Sequence, residues 1–441
     1  MKSVDIQSLD SEMKALLERG TEEVFLAPLH EAAHDWNRAL RQSENGVSDE
    51  AFLKLGVHRV LRNNESGRDF LQSAIDRLKL PVQKSAFFNL FHSSRRLQIV
   101  EDTAAGLYRD ACRRIETDLL KDFPQLEGMD IIAGDGHLLA AACHAKRDKK
   151  GRKVAPSSLF MLNVRNGLVF PLAAVQGDGK YEHELPVLRN HLPDFLQKQR
   201  RGHALKKVLM LLDPAFIDTV FWTNLDHAHK LGVLVIIPEK KSLNIYHYET
   251  IDFDRNDPIN IGVISCELVG FENPDSATAR RIVYRDPETG KTYRFLTTAM
   301  DLPPGLVALL YLLRWRIEKV FDVFKNKLHE GKAWGNGRTC QLMQAHFVCM
   351  TYNLILLLSD TLKQGFGIEP LKLYRKRENA LAKREIEAEK QGGFINPLIR
   401  MIVIPSQISC QFIRSLRNAI DLRKRFREHL PDFRRTLECY L

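Results

Sequence analysis

The sequence has few cysteines and no closely spaced pair of them. Its 441 residues include seven cysteines, scattered along the chain without a Cys-x-x-Cys motif. Small extracellular proteins that depend on disulfides carry denser and more regular cysteine patterns. The cysteine usage therefore argues against a disulfide framework and favours a reducing compartment.

The sequence also lacks an apolar run long enough to span a membrane. The longest lies within HFVCMTYNLILLLSD, residues 346–360, and falls short of the roughly 18 apolar residues that a transmembrane helix needs. It predicts a core helix instead. The first 20 residues are polar and acidic, so we expect no signal peptide and predict a soluble intracellular protein.

Acidic residues are the minority among the charged ones. Lys and Arg number 65 against 55 Asp and Glu, which gives a net charge of +10. The apolar share of 44% and the charged share of 27% are typical of globular proteins and exclude wholesale disorder. A positive excess of this size suits a polyanion partner without requiring one.

The first 125 residues show apolar positions at helical spacing and predict an all-helical region. Within it, FLQSAIDRLKLPVQKSAFFNLFHSSRRLQ predicts two short helices with a break at Leu80-Pro81, the second ending in Ser93, Ser94, Arg95 and Arg96. This pattern is compatible with a helix-turn-helix that places Arg95 and Arg96 against DNA. A simple packing pair of helices is the alternative.

Beyond residue 126 the pattern changes to short strands. An apolar run surrounds Asp135, and two β-rich runs are joined by Asn166-Gly167, a strong hairpin signal. The loop between them, HAKRDKKGRKV, is strongly basic. We expect its positive side chains, including Lys149, Lys150 and Arg152, to favour a phosphate backbone nearby.

Helices and strands then alternate up to residue 238. A buried strand from Val208 to Leu212 ends at Asp213, and another strand follows at 233–240. An antiparallel hairpin followed by helix, strand, helix and strand is the order of the ribonuclease-H-like α/β fold. Residues 239–301 predict an antiparallel β insertion, and the chain is helical after it. We therefore divide the chain into five parts: a helical DNA-binding region 1–125, a core 126–238, the insertion 239–301, the rest of the core 302–365, and a helical region 366–441.

The segment LLYLLRWRIEKVFDVFKNKL predicts a two-faced helix. At 100° per residue, one face carries Tyr311, Arg314, Glu318, Asp322 and Lys325. The apolar face comprises Leu309, Leu313, Ile317, Val320, Phe321 and Phe324. Such a charged face is often only solvated, with its side chains pairing among themselves.

The spacing on that face resembles a known motif. Tyr311, two residues, Arg314, three residues, Glu318, six residues and Lys325 reproduce the Y-(2)-R-(3)-E-(6)-K motif of DDE transposases of the insertion-sequence-four family. Asp135 and Asp213 lie on the two strands where these enzymes keep their other carboxylates. The resemblance covers residues 126–330, and the insertion explains the 105 residues between Asp213 and Glu318.

The resemblance implies a role for each residue of the motif. Asp135, Asp213 and Glu318 would be the catalytic carboxylates and would hold two Mg²⁺ ions, for which Mn²⁺ can substitute, because phosphodiester chemistry needs charge neutralisation at the attacking and leaving oxygens. Arg314 and Lys325 would grip phosphates beside the scissile bond. The Tyr311 hydroxyl would contact the same backbone or orient Glu318.

Three features depart from the family pattern or are not settled by it. His137 follows Asp135 where a small hydroxyl residue is common, and Pro-Ala-Phe follows Asp213 in place of Arg-Gly. The insertion has no tryptophan, so a DNA hairpin step is not implied. We expect Trp222 and Trp315 to be packing residues, with stacking near DNA as the alternative for Trp315.

The resemblance also implies partners. An active transposase would bind terminal inverted repeats and target DNA, free a 3′-OH and join it to the target, working as a homodimer in a synaptic complex within the bacterial cytoplasm, associated with the nucleoid when bound to DNA. Two alternatives stay open: a catalytically silent or domesticated DNA-binding regulator, and a ribonuclease-H-like nuclease without strand transfer.

Overall fold

A mixed sheet organises the chain, with nine strands among the residues that the structure describes and many helices around it. The computed structural model describes residues 9–37, 40–42, 46–62, 66–78, 84–140, 157–175, 184–200, 207–226, 232–328, 330–335, 337–402 and 410–439. The strands are β1 Met129–Leu138, β2 Ser157–Asn163, β3 Val169–Val175, β4 Lys207–Leu211, β5 Val233–Pro238, β6 Ile245–Thr250, β7 Val263–Phe271, β8 Ala279–Arg285 and β9 Thr292–Thr297.

Helices precede the sheet, cross between its strands and follow it. Those before and between the strands are α1 Ser11–Glu18, α2 Thr21–Trp36, α3 Asp49–Leu61, α4 Gly67–Leu78, α5 Lys84–Leu90, α6 Ser94–Arg114, α7 Glu184–Arg200 and α8 Thr219–Asp226. Those after the last strand are α9 Pro304–Leu313, α10 Arg316–Asp322, α11 Arg338–Phe366, α12 Leu371–Lys390, α13 Leu398–Met401, α14 Cys410–Asp421 and α15 Phe426–Cys439.

The strand order across the sheet is β3-β2-β1-β4-β5-β9-β8-β7-β6. Strands β1, β2 and β3 form an antiparallel meander, whereas β4 and β5 run parallel to β1. The predicted hairpin between β2 and β3 is confirmed, and Gly167 in its turn has a φ of +81°, a conformation that favours glycine. The core of the sheet is apolar on both faces, as the unbroken burial of β4 from Val208 to Leu211 shows.

The predicted β-rich segment is an antiparallel meander that continues the same sheet. Strand β9 pairs antiparallel with β5, so β6 to β9 extend the sheet beyond its parallel part. The segment also holds the start of α9. The Asn260 side-chain oxygen accepts a hydrogen bond from the Gly305 amide at 3.1 Å, and Arg280 donates to the Leu302 carbonyl at 2.8 Å.

Helix α11 is the apolar core helix that the sequence predicts. It packs against α6, α3 and β3. By length and composition it is apolar enough to cross a membrane, but 89% of its most apolar window is buried inside the protein. Burial of this extent is typical of a core helix in a globular domain.

The second of the two short helices predicted before residue 97 ends earlier in the structure than the sequence predicts. Helix α5 ends at Leu90, and Ser93 caps the 21-residue helix α6, its hydroxyl accepting from the Arg96 amide at 3.3 Å. Serine at this position begins a helix because its side-chain oxygen accepts a hydrogen bond from a free backbone amide. The prediction that the second helix includes Arg95 and Arg96 is wrong, and the break at Leu80-Pro81 lies outside the described residues.

Candidate active site

The parallel pairing of β1 with β4 brings two predicted carboxylates to one edge of the sheet. Ala133 pairs with Leu211 at the end of the ladder, so Asp135 and Asp213 each lie two residues beyond a paired position. Because parallel strands end at the same edge, both side chains reach the same region. Asp213 also caps the short turn that follows it, with Oδ1 accepting from the Ala215 amide at 2.5 Å.

The segment that carries Glu318 is broken into three helical pieces, whereas the sequence predicts one helix. Helix α9 ends at Leu313, α10 runs from Arg316 to Asp322, and a π-helical turn spans Val323–Lys327. The predicted apolar face is confirmed, since its six residues are all buried: Leu309, Leu313, Ile317, Val320, Phe321 and Phe324. The break therefore redirects the polar residues while the apolar face stays in the core.

Arg314 lies at the break between α9 and α10 and faces the carboxylates. Its Nη1 donates to Oδ2 of Asp135 at 2.8 Å, and its Nη2 lies 3.8 Å from Oε1 of Glu318. The Arg314 side chain is only 8% exposed, against 41% for Glu318. One buried guanidinium therefore joins the first strand of the sheet to the helix of Glu318.

Tyr311 completes this side of the site. Its ring packs against Phe295 of β9 with the ring centroids 5.1 Å apart, and the Arg314 guanidinium lies 5.7 Å from the ring centre. Burial raises the pKa of the phenol, and the negative charges of Asp213 and Asp135 add to the rise. Tyr311 is therefore a neutral hydroxyl beside the carboxylates, positioned by the last strand of the insertion.

Asp135 has an environment that works against its charge. Burial raises the pKa of its carboxyl, and the negative charge of Asp213 contributes to the rise. Arg314 and a hydrogen bond from the Gly136 amide at 2.9 Å act in the opposite direction. A cation that approaches Asp135 therefore stabilises its ionised carboxylate.

Lys325 lies on the π-helical turn that follows α10, whereas Glu318 lies on α10 itself. Its side chain is exposed, and its positive charge acts on His137 of β1. The pKa of His137 is lowered to about 4, mainly by burial and further by Lys325. His137 is 3% exposed and stacks on Phe321 with the ring centroids 4.6 Å apart, so this departure from the family pattern is a neutral packing residue.

Glu184, the first residue of α7, is a carboxylate that the sequence reasoning missed. A methyl group placed on Gly136 would lie 1.6 Å from Oε1 of Glu184, so the carboxylate lies directly against the backbone of β1. Burial raises the pKa of Glu184, and the charges of Asp135 and Asp213 raise it further. The available signal was Gly136 itself, because glycine inside a strand often marks a close approach.

The other predicted DNA contacts lie elsewhere. Arg95 forms a bidentate pair with buried Asp49, at 2.7 and 2.8 Å, and Arg96 donates to the Val47 carbonyl at 2.6 Å while lying over the ring of Phe52. Both arginines therefore hold α6 against the start of α3. The basic-loop residues Lys149, Lys150 and Arg152 lie outside the described residues.

The two tryptophans predicted to pack differ from one another. Trp222 is 3% exposed and lies in the core, which confirms the prediction for it. Trp315 is 56% exposed, next to the break at Arg314, and Leu312 beside it is 50% exposed. The packing prediction for Trp315 is therefore wrong, because the break turns this residue toward solvent.

Two of the three predicted carboxylates, Asp135 and Glu318, lie beside a cation that the protein itself supplies. Within the part of the chain that the structure describes, no group of three or more His, Cys, Asp or Glu side chains is placed to hold a metal ion. Arg314 instead contacts Asp135 and approaches Glu318. The oxygen donors nonetheless suit a hard divalent cation such as Mg²⁺ or Mn²⁺.

Part of the chain matches the model of a known protein family. Residues 135–354, about half of the chain, match the family model described as the transposase DDE domain. The matched segment begins at Asp135 and includes Asp213, the insertion and the whole motif from Tyr311 to Lys325. No curated protein matches the chain.

Proposed function

We propose that the transposase DDE domain of this chain makes it an active, Mg²⁺-dependent transposase that cleaves DNA at element ends and joins a 3′-OH to target DNA. The domain match supports a transposase acting in DNA recombination, with DNA as its partner. The observation that carries the finer proposal is the contact of Arg314 with Asp135, 179 residues away in sequence, and its approach to Glu318. It supports a common site for the two distant carboxylates.

The proposed metal ligands are Asp135, Asp213 and Glu318. Their carboxylate oxygens are the donors that Mg²⁺ and Mn²⁺ prefer. A bound pair of such ions neutralises charge at the attacking and leaving oxygens of a phosphodiester. Asp213 is held by its own turn and Asp135 by the Gly136 amide, so both enter the reaction already oriented. Glu318, which is more exposed, faces the side from which DNA would approach.

The remaining motif residues would position the DNA. Tyr311 stays protonated because of its raised pKa, so its hydroxyl can donate a hydrogen bond to a phosphate oxygen. Arg314 offers a planar fork that suits a phosphate, and exposed Lys325 offers a point charge. Lys149, Lys150 and Arg152 would add backbone contacts through the basic loop.

We further propose the larger organisation. Strands β1 to β5 with α7 to α11 would form a ribonuclease-H-like core, and β6 to β9 an insertion that supports Tyr311. The flanking helical regions would bind terminal repeats and join two copies in a synaptic homodimer in the cytoplasm. Arg95 and Arg96 would contribute by fixing α6, since their guanidinium groups are already paired.

The test of activity uses DNA that carries the element ends. Wild-type protein should nick this DNA only with Mg²⁺ or Mn²⁺, and Glu318→Gln should bind it equally while failing to nick. Equal binding without nicking by either protein would favour the silent regulator. A pre-nicked donor end with a free 3′-OH then separates transposase from nuclease, because only a transposase joins it to target DNA.

A further inference from the structure

The pairing of Arg314 with the carboxylates places a positive charge where the proposed function requires metal ions. Its Nη1 is 2.8 Å from Asp135 and its Nη2 is 3.8 Å from Glu318. These are two of the three carboxylates proposed as ligands. The guanidinium offsets part of the negative charge of Asp135, and its own positive charge repels a metal ion that approaches the same oxygens.

The contacts of Arg314 leave part of its guanidinium available to another partner. Arg314 lies between α9 and α10, where the backbone leaves regular α-helix and the Ile317 amide bonds to the Arg314 carbonyl three residues back. Its Nε is buried and has no hydrogen-bond partner among the described residues. The guanidinium is therefore held by part of its donors only, and an anion that used all of them would compete well.

We propose that Arg314 is an internal counter-ion that closes the metal site in the free protein and leaves it when a DNA phosphate binds, so that DNA binding and metal binding reinforce one another. The inference rests on the proposed function. A phosphate draws the guanidinium away from Asp135, and the freed carboxylates then accept the metal. The metal ions needed for cleavage therefore bind only after DNA has bound.

The first experiment measures Mn²⁺ binding to the full-length protein without DNA, by calorimetric titration. Arg314→Gln should bind Mn²⁺ about tenfold more tightly than wild type, a change typical of coupling between sites. Arg281→Gln is the matched control, because Arg281 pairs with Glu239 at 2.7 Å within the insertion and its loss removes the same charge away from the site. It should leave Mn²⁺ affinity unchanged.

The second experiment measures the coupling between DNA binding and Mn²⁺ binding. Its main comparison uses wild-type protein alone and so does not require a variant to fold. Affinity for a fluorescent duplex is measured by anisotropy with and without Mn²⁺ at constant ionic strength. Wild type should gain severalfold in DNA affinity from Mn²⁺, since coupling is reciprocal. Arg314→Gln should show no gain, and Arg314→Lys, which keeps the charge but loses the fork, should show a smaller one.

The outcomes separate the inference from the proposed function. If Asp135→Asn and Glu318→Gln bind Mn²⁺ in the presence of the duplex as wild type does, the metal ligands are wrong and the proposed function fails. If those variants lose Mn²⁺ while Arg314→Gln binds it as wild type does, the ligands stand and the counter-ion role is overturned. Equal wild-type DNA affinity with and without Mn²⁺ also overturns it.

Discussion

Asp135 and Arg314 form a 2.8 Å ion pair across 179 residues of sequence. The pair joins β1, the first strand of the antiparallel meander, to the helix break that follows the insertion. Both side chains are largely buried, at 21% and 8% exposure, so water screens their attraction only weakly. The contact therefore fixes the relative position of the two elements that carry the first and last carboxylates of the proposed site.

Asp213→Asn should abolish cleavage and leave the fold intact. Asparagine also caps turns, so the hydrogen bond to the Ala215 amide is retained. The loss of a charged metal ligand should lower the rate of Mg²⁺-dependent nicking by at least about a hundredfold. Nicking assays on element-end DNA, with a thermal melt as the folding control, measure both effects. Retained nicking would remove Asp213 from the proposed site.

Glu184 and Gly136 should be thermodynamically coupled. Gly136→Ala places a methyl group 1.6 Å from the Glu184 carboxylate, so the glutamate must move and the protein should lose stability. In a protein that also carries Glu184→Ala, Gly136→Ala should lower the free energy of unfolding by a smaller amount, the difference being about 1 kcal/mol or more. Calorimetric melts of the wild type, the two single variants and the double variant measure this difference. Strict additivity would contradict the contact.

Stability should fall in mild acid through a histidine far from the site. His346 of α11 is buried, and its burial lowers the pKa from 6.5 to about 3. The unfolded chain therefore binds a proton between these values that the folded chain does not. The contribution of His346 is present above pH 6.5 and is lost as the pH falls toward 3. Leucine is close to histidine in volume and does not titrate. In His346→Leu, the free energy of unfolding should therefore fall less between pH 6.5 and 3 than in wild type, by up to several kcal/mol.

Chemical denaturation at a series of pH values tests the role of His346. Carboxylates also take up protons in this range, so the informative quantity is the difference between wild type and His346→Leu. His34→Leu provides the control, because its imidazole is 60% exposed. An unchanged slope in the His346 variant would show that another group carries the acid sensitivity.

DNA binding should weaken steeply with salt, and the basic loop should account for part of the slope. Each phosphate contact releases counterions, so replacing Lys149, Lys150 and Arg152 by Gln should reduce the slope of log K against log salt by about 3 if all three touch phosphates. Anisotropy titrations at several salt concentrations measure it. The same substitutions at Lys240, Lys241 and Lys291 of the insertion remove equal charge elsewhere and serve as the control.

Local features of the chain were predictable because their causes are local. Asn166-Gly167 forms a hairpin through its own backbone preferences, and the apolar face of residues 309–324 is buried as its periodicity indicates. The packing prediction for Trp315 was wrong, because the sequence does not reveal the break between α9 and α10 beside which this residue is exposed. The helix boundary at Ser93 was also missed, because the pattern of apolar residues does not show where an N-capping serine begins a new helix.

The sequence by itself determined the types and order of the elements and the residue types that face the site, since hydrophobic period, turn residues and motif spacing are properties of neighbouring positions. Only the tertiary structure decided which side chains meet. The register of β1 with β4, the contact of Glu184 with Gly136 and the Arg314–Asp135 pair depend on packing between segments distant in the chain. A local pattern can mark a close approach, as Gly136 does, but it does not identify the partner, because the energy of such contacts arises only when strands, insertion and helix have been assembled around one core.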